Sequence, residues 1–266
     1  MTDAEELREA LDALRAAHFD AGGSACDYAG LGASPEKQRL AEMLAALQAF
    51  DPKRVRIVAQ TAFWLNVFNA VVVRDAAELA QARGPREVER FFESRRANIG
   101  GLAYSLDDIE HGLLRGNVPK FGGMRAPLRQ DDPRRAYTPL AYDERMHFGL
   151  YCACRSSPPL HAFGGGMLDE QLEQATEGYL RREVRVEQQG ALVILPRQFY
   201  WYAADFDGER EALAFAISRL DDDTADLFGQ VAISGGKFAN GLGFCGGNTL
   251  ISLISSRSCV PVTRRT

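Results

Sequence analysis

Residues 54–74 read RVRIVAQTAFWLNVFNAVVVR, and apolar side chains occupy almost every side of the helical wheel they would form. A helix with one apolar stripe can lie on a surface. One that is apolar all round must be covered by neighbours, so this stretch predicts a central buried helix. Gln60, Asn66 and Asn69 are its polar exceptions. A buried amide is costly unless it is paired, so each must find partners elsewhere in the fold. Asn66 and Asn69 are three apart and share a side. Two readings stand open for them: core hydrogen bonding to loops, or lining and bracing a site.

Working outward, Leu7, Leu11 and Leu14 recur at helical spacing and predict a helix over 3–18. Ser34 followed by Pro35 reads as a helix start, with Leu40, Met43, Leu44 and Leu47 along one side, and Asp51-Pro52 ends it. PREVERFFESRR (85–96) predicts a further helical region. In SLDDIEHGLL (105–114), Ser105 and Asp108 have the spacing of an N-terminal cap, with Leu106, Ile109 and Leu113 facing inward. Residues 117–145 are rich in Gly, Pro and Arg and read as a long irregular connection. HFGLYC (147–152) reads as a strand, stopped by Pro158 and Pro159.

MLDEQLEQATEGYLRR (167–182) and GEREALAFAISRL (208–220) predict helices, and VRVEQQGALVILP (184–196) predicts two strands around Gln189-Gly190. Together these give an α+β class: a mainly helical single domain over 1–228 with a small antiparallel sheet. Residues 229–266 form an atypical C-terminal segment without sustained periodicity, apart from a strand near NTLISLIS (248–255).

The balance of 31 Lys+Arg against 36 Asp+Glu argues against a broad nucleic-acid-binding surface. The acidic, amphipathic N-terminus lacks the basic region and apolar core of a signal peptide, and no apolar run of about eighteen residues points to a membrane span. The expected compartment is the cytoplasm, where the five cysteines would remain thiols.

HFGLYCACRSSPPL (147–160) concentrates the reactive side chains: His147, Cys152 and Cys154. On a strand His147 and Cys152 would face opposite ways, which argues against His147 as the immediate base of Cys152. A useful thiol needs a base or a positive charge to favour thiolate, and His111, preceded by Glu110, is a candidate from a distant segment. The bland readings are a half-buried helix histidine and a small buried hydrophobe. A Cys/His zinc site from His147, Cys152, Cys154 and His161 is a further alternative, weakened by the absence of a two-residue cysteine gap. Neither GGMRAP nor GGKFANG has the spacing of a phosphate loop, and no cofactor motif is present.

The blocks AQTAFWLNVFNAVVVRD, SLDDIEHGLLRG, HFGLYCACRSSPPLHAF, MLDEQLEQATEGYL and PRQFYWYAADF, in this order over about residues 55–207, resemble the DUF547 family, whose function is uncharacterised. The resemblance implies that Trp64, Asn66 and Asn69 belong to its FWINLYNA-type block. Likewise, Glu110, His111 and Arg115 match its IEHGILR-type block, and His147 and Cys152 its HFALNC-type block. The family's second cysteine, before Pro-Pro, is Ser157 here, and its closing Leu-Pro-Tyr-Asp-Trp-Ser-like segment is replaced.

A more distant similarity to papain-like or transglutaminase-like thiol enzymes, in a permuted order with histidine before cysteine, extends this implication. The expectation is then a cysteine-nucleophile hydrolase or acyltransferase acting on an amide, peptide or thioester-like carbonyl. Cys152 would attack, His111 transfer the proton and Glu110 orient. Asn66, Asn69, Trp64, Arg115 and His147 would line the site or bind the oxyanion, without cofactor or metal. A non-catalytic interaction or degenerate scaffold domain is the main alternative.

Overall fold

The computed structural model describes residues 3–79, 88–120, 123–140, 142–154, 156–187, 192–221, 223–225, 238–240 and 250–253. These residues fall into two compact units, divided between Leu172 and Glu173.

The first unit is built around the stretch that opened the sequence. Helix α1 (Asp3–His18) buries Leu7, Leu11 and Leu14, the stripe expected from their spacing. A single turn, α2 (Tyr28–Leu31), precedes α3 (Pro35–Ala46). Ser34 caps α3 by accepting from the Lys37 N–H at 3.1 Å, and Pro35 occupies the first turn, where no N–H is needed. Helix α4 (Gln60–Leu79) lies against both α1 and α3 and buries side chains on all its faces, among them Phe63, Trp64, Phe68 and Val72. By length and composition Ile57–Leu79 could cross a membrane, but 67% of that window is buried within the protein, as befits a core helix.

Beyond the short turn α5 (Phe91–Ser94) the chain forms a hairpin, β1 (Arg96–Ile99) with β2 (Leu102–Ser105), antiparallel in register from Arg96↔Ser105 to Ile99↔Leu102. Residues 88–96 of PREVERFFESRR are described, and there the helix is one turn before the chain extends into β1. The hairpin turn is Gly100-Gly101, both at positive φ (58° and 77°), which glycine adopts without steric cost. β2 leads into a π-helix, Asp108–Leu114.

The Ser105–Asp108 cap is reciprocal. The Asp108 N–H donates to Ser105 Oγ at 3.0 Å, and the Ser105 N–H donates to Asp108 Oδ2 at 2.9 Å. Arg134 donates to the same Asp108 oxygen at 2.8 Å, tying the long connection to this helix start. Replacing Ser105 by alanine is expected to lower stability by about 1 kcal/mol, read as a lower urea midpoint at unchanged slope.

HFGLYC is not a strand. His147 and Phe148 end a 3₁₀ turn, Glu144–Phe148, and residues 149–152 continue irregularly. The alternation of faces that separated His147 from Cys152 therefore does not apply.

Helix α6 (Leu168–Glu183) carries the chain into the second unit. There β3 (Arg185–Glu187) and β4 (Leu192–Ile194) pair antiparallel, as VRVEQQGALVILP predicts, although the Gln189-Gly190 turn lies outside the described residues. After α7 (Gln198–Trp201) and α8 (Glu209–Ile217), β5 (Phe238–Asn240) and β6 (Leu250–Leu253) complete a sheet ordered β3-β4-β6-β5. β6 runs parallel to both β4 and β5, so this sheet is mixed rather than antiparallel throughout. Phe199, Phe206 and Phe215 pack edge to face or tilted within this unit. The rest of the atypical segment 229–266 lies outside the described residues.

Candidate functional site

The two asparagines of α4 act on backbone. Asn66 Nδ2 donates to the Phe163 carbonyl at 2.8 Å while its Oδ1 accepts from the Phe163 N–H at 2.7 Å. Asn69 reaches two segments at once: Nδ2 donates to the Gly149 and His161 carbonyls at 3.0 and 3.2 Å, and Oδ1 accepts from the Tyr151 N–H at 2.9 Å. Both are buried. They substitute for a strand neighbour, satisfying peptide groups on either side of the cysteine-bearing loop. Both Asn69 amide hydrogens are thus taken by carbonyls, leaving no N–H of that side chain for an oxyanion. Trp64, also buried, gives its one indole N–H to the Tyr137 carbonyl at 3.0 Å and anchors the long connection.

The π-helix brings Glu110, His111 and Arg115 together. Its wider turn shows in the Arg115 N–H, which reaches back five residues to the Glu110 carbonyl at 2.9 Å. Arg115 Nη1 lies 3.1 Å from His111 Nδ1 and also donates to the Pro119 carbonyl at 3.1 Å. A guanidinium can only donate, so Nδ1 accepts and the imidazole proton resides on Nε2. Nε2 stands 3.8 Å from Asp107 Oδ1, and Glu110 Oε1 is 3.9 Å from Nδ1. His111 is almost wholly buried, and that desolvation lowers its pKa. Glu110 and Asp107 oppose the shift, while Arg115 and Lys120 reinforce it. The ring is neutral at neutral pH.

The thiol loop turns on Ala153, which has φ 53°, a left-handed conformation unusual for a residue with a Cβ. Ser157 fixes both ends of the turn. Its hydroxyl accepts from the Cys152 N–H at 2.9 Å and donates to the Pro158 carbonyl at 2.7 Å, and its N–H donates to the Cys154 carbonyl at 2.9 Å. Cys152 Sγ and Cys154 Sγ are 3.2 Å apart, with Cys152 partly exposed and Cys154 buried. Beneath the loop, Tyr151 and Tyr28 share a hydrogen bond at 2.7 Å between their hydroxyls. Burial pushes both phenols and the Cys26 thiol up, so all three stay protonated at neutral pH. His147 is buried, and Tyr142 Oη approaches its Nε2 at 3.4 Å.

An open groove of about 410 Å³ is lined by Ile57, Val58, Leu140 and Leu168, with Asp143, Arg145 and Asp169 among its polar residues. Neither Cys152 nor His111 lines it. Among the described residues no three His, Cys, Asp or Glu side chains gather as a metal-binding group.

The matched blocks now have a common structural sense, since Asn66 and Asn69 of one hold the backbone that carries the next. A family model, DUF547, described as a protein of unknown function, matches residues 52–180. Over these residues, just under half of its length, the chain is similar to DUF547. No curated protein and no solved structure matches it significantly.

The matched segment contains every candidate residue named from the sequence. Cys154 enters the sequence reading as a zinc-ligand candidate and, on a strand, as a residue on the same face as Cys152; its close approach to the Cys152 sulfur is not part of that reading. The turn at Ala153 is what brings the two sulfurs together. Ser157, at the position where the resemblance implies a second cysteine, caps the same turn.

Proposed function

We propose that this chain is a thiol enzyme, a hydrolase or acyltransferase in which Cys152 is the nucleophile toward an amide, peptide or thioester-like carbonyl. The observation that carries this reading is the state of Cys152: a partly exposed thiol on a turn fixed by Ala153 and Ser157, whereas Cys26 and Cys154 are buried. Sγ attacks the carbonyl carbon, a thioester forms, and the leaving group departs with a proton. Water or a second nucleophile then releases the acyl group.

His111 is the proposed proton carrier. Its depressed pKa keeps it neutral and able to accept. With Nδ1 bonded to Arg115, acceptance at that nitrogen requires the guanidinium to give way, and Glu110 is close enough to hold the charge that results. The chain order, histidine before cysteine, is what ties this reading to a permuted papain-like or transglutaminase-like arrangement.

A limited dose of iodoacetamide, followed by peptide mapping, tests the reading. Cys152 is expected to label first, and His111→Asn to slow that labelling about tenfold or more, within the range of general-base effects. A Cys152→Ser protein that keeps full turnover of an activated thioester would sink it, as would labelling indifferent to His111. The rival reading is a non-catalytic interaction scaffold. It is favoured by one observation, that Asn66 and Asn69 serve backbone groups on both sides of the loop.

A further inference from the structure

We propose that Cys152 and Cys154 are a reversible dithiol–disulfide pair, closed by exchange with a low-molecular-weight disulfide of the glutathione type. The sulfurs are 3.2 Å apart. A disulfide requires about 2.05 Å, so closure needs an approach of roughly 1 Å, within the reach of side-chain torsions. The backbone is already bent for it. Ala153 holds the left-handed conformation that folds the two flanking residues toward one another, and Ser157 pins the Cys152 N–H and the Cys154 carbonyl from one side.

The two thiols are unequal in a way that assigns their roles. Cys152 is partly exposed and meets the incoming disulfide, whereas Cys154 is buried beside it and cannot be reached first. The Cys152 thiolate attacks one sulfur of the oxidised tripeptide and forms a mixed disulfide, releasing one tripeptide thiolate that takes up the Cys152 proton. Cys154, deprotonated in turn, attacks Cys152 Sγ and expels the second tripeptide thiol, which carries away the Cys154 proton. Two protein thiols are oxidised by two electrons, one external disulfide is reduced to two thiols, and the Cys152–Cys154 bond remains.

A ring enclosing a single residue gains little from chain entropy and is strained, and strained disulfides are the readily reduced ones. The pair is therefore a switch rather than a staple. This inference does not rest on the thiol-enzyme reading. If that reading also holds, the closed form lacks its nucleophile.

The test equilibrates the full chain with reduced and oxidised glutathione at graded ratios, blocks remaining thiols by alkylation, and maps the peptides by mass. The expected result is that two of the five cysteines, Cys152 and Cys154, escape alkylation together and carry no glutathione, and that dithiothreitol restores both. Cys154→Ser is expected to leave one glutathione on Cys152. Cys154→Ala serves if the serine variant does not fold, judged by circular dichroism. Glutathione retained on wild-type Cys152, a bond from Cys152 to any other cysteine, or two thiols still reduced at the most oxidising ratio would each overturn the proposal. Loss of thioester turnover in Cys152→Ser bears only on the enzyme reading, so the two ideas fail separately.

Discussion

Asn69→Ala is expected to reduce unfolding stability by about 3–5 kcal/mol, a large loss for one side chain. Three backbone groups depend on this amide: the carbonyls of Gly149 and His161 and the N–H of Tyr151. Alanine leaves all three at a site where Asn69 is fully buried, and each unsatisfied buried polar group costs about 1–3 kcal/mol. Partial relaxation or entry of a water brings the sum toward the lower end.

For a chain of this size, that loss corresponds to a melting-temperature decrease of about 10 °C. Equilibrium urea unfolding followed by far-ultraviolet circular dichroism gives the free energy directly. Asn66→Ala, with two bonds to the single residue Phe163, should cost less. Asn69→Asp is no rescue, because a carboxylate cannot donate to either carbonyl and brings a buried charge. A change below about 1 kcal/mol in Asn69→Ala would mean that other contacts hold residues 149–161 in place.

The same asparagines show what was legible in the sequence and what was not. That α4 is central followed from its lack of a polar face, and that its amides need outside partners followed from the cost of burying them. The identity of the partners did not follow, because they are peptide groups, and every residue has those. This also accounts for the misreading of HFGLYC. Its apolar and aromatic run has the composition of a strand, but its peptide groups at 149 and 151 are satisfied by one side chain from α4 rather than by a ladder.

The β1–β2 hairpin, by contrast, carried a signal that the reading passed over: Gly100-Gly101 between two short runs containing Ile99 and Leu102. At the candidate site, the Ser105–Asp108 cap could be read from spacing. The π-turn, in which the Arg115 N–H reaches back to the Glu110 carbonyl, could not, since seven residues of helix look alike in sequence whatever their pitch. Nor could the approach of Cys152 to Cys154, which depends on one backbone angle at Ala153.

Acidification from about pH 6.5 to pH 4 is expected to remove about 3 kcal/mol of stability through His161. Burial, assisted by the charge of Arg15, lowers the pKa of this ring from 6.5 to about 4. Its Nε2 is buried and, among the described residues, meets no hydrogen-bond acceptor, so protonating it in the fold is unfavourable. The unfolded chain, where the ring titrates near 6.5, binds the proton first. Stability from a neutral His161 is therefore complete above pH 6.5, falls as the pH drops through this window, and is lost below about 4.

His111, whose pKa is also lowered by burial, contributes with the same sign. Carboxylates add their own loss mainly below the window, near their ordinary pKa values of about 4. His161→Phe removes the titration while keeping a flat ring beside Phe163, which lies 5.7 Å away. Its stability between pH 4.5 and 6.5 should be flatter than that of the wild type, and adding His111→Asn should flatten it further by the share that His111 contributes. Urea midpoints at half-unit pH steps decide it, and an unchanged acid limb in His161→Phe would show that this ring is not what the proton destabilises.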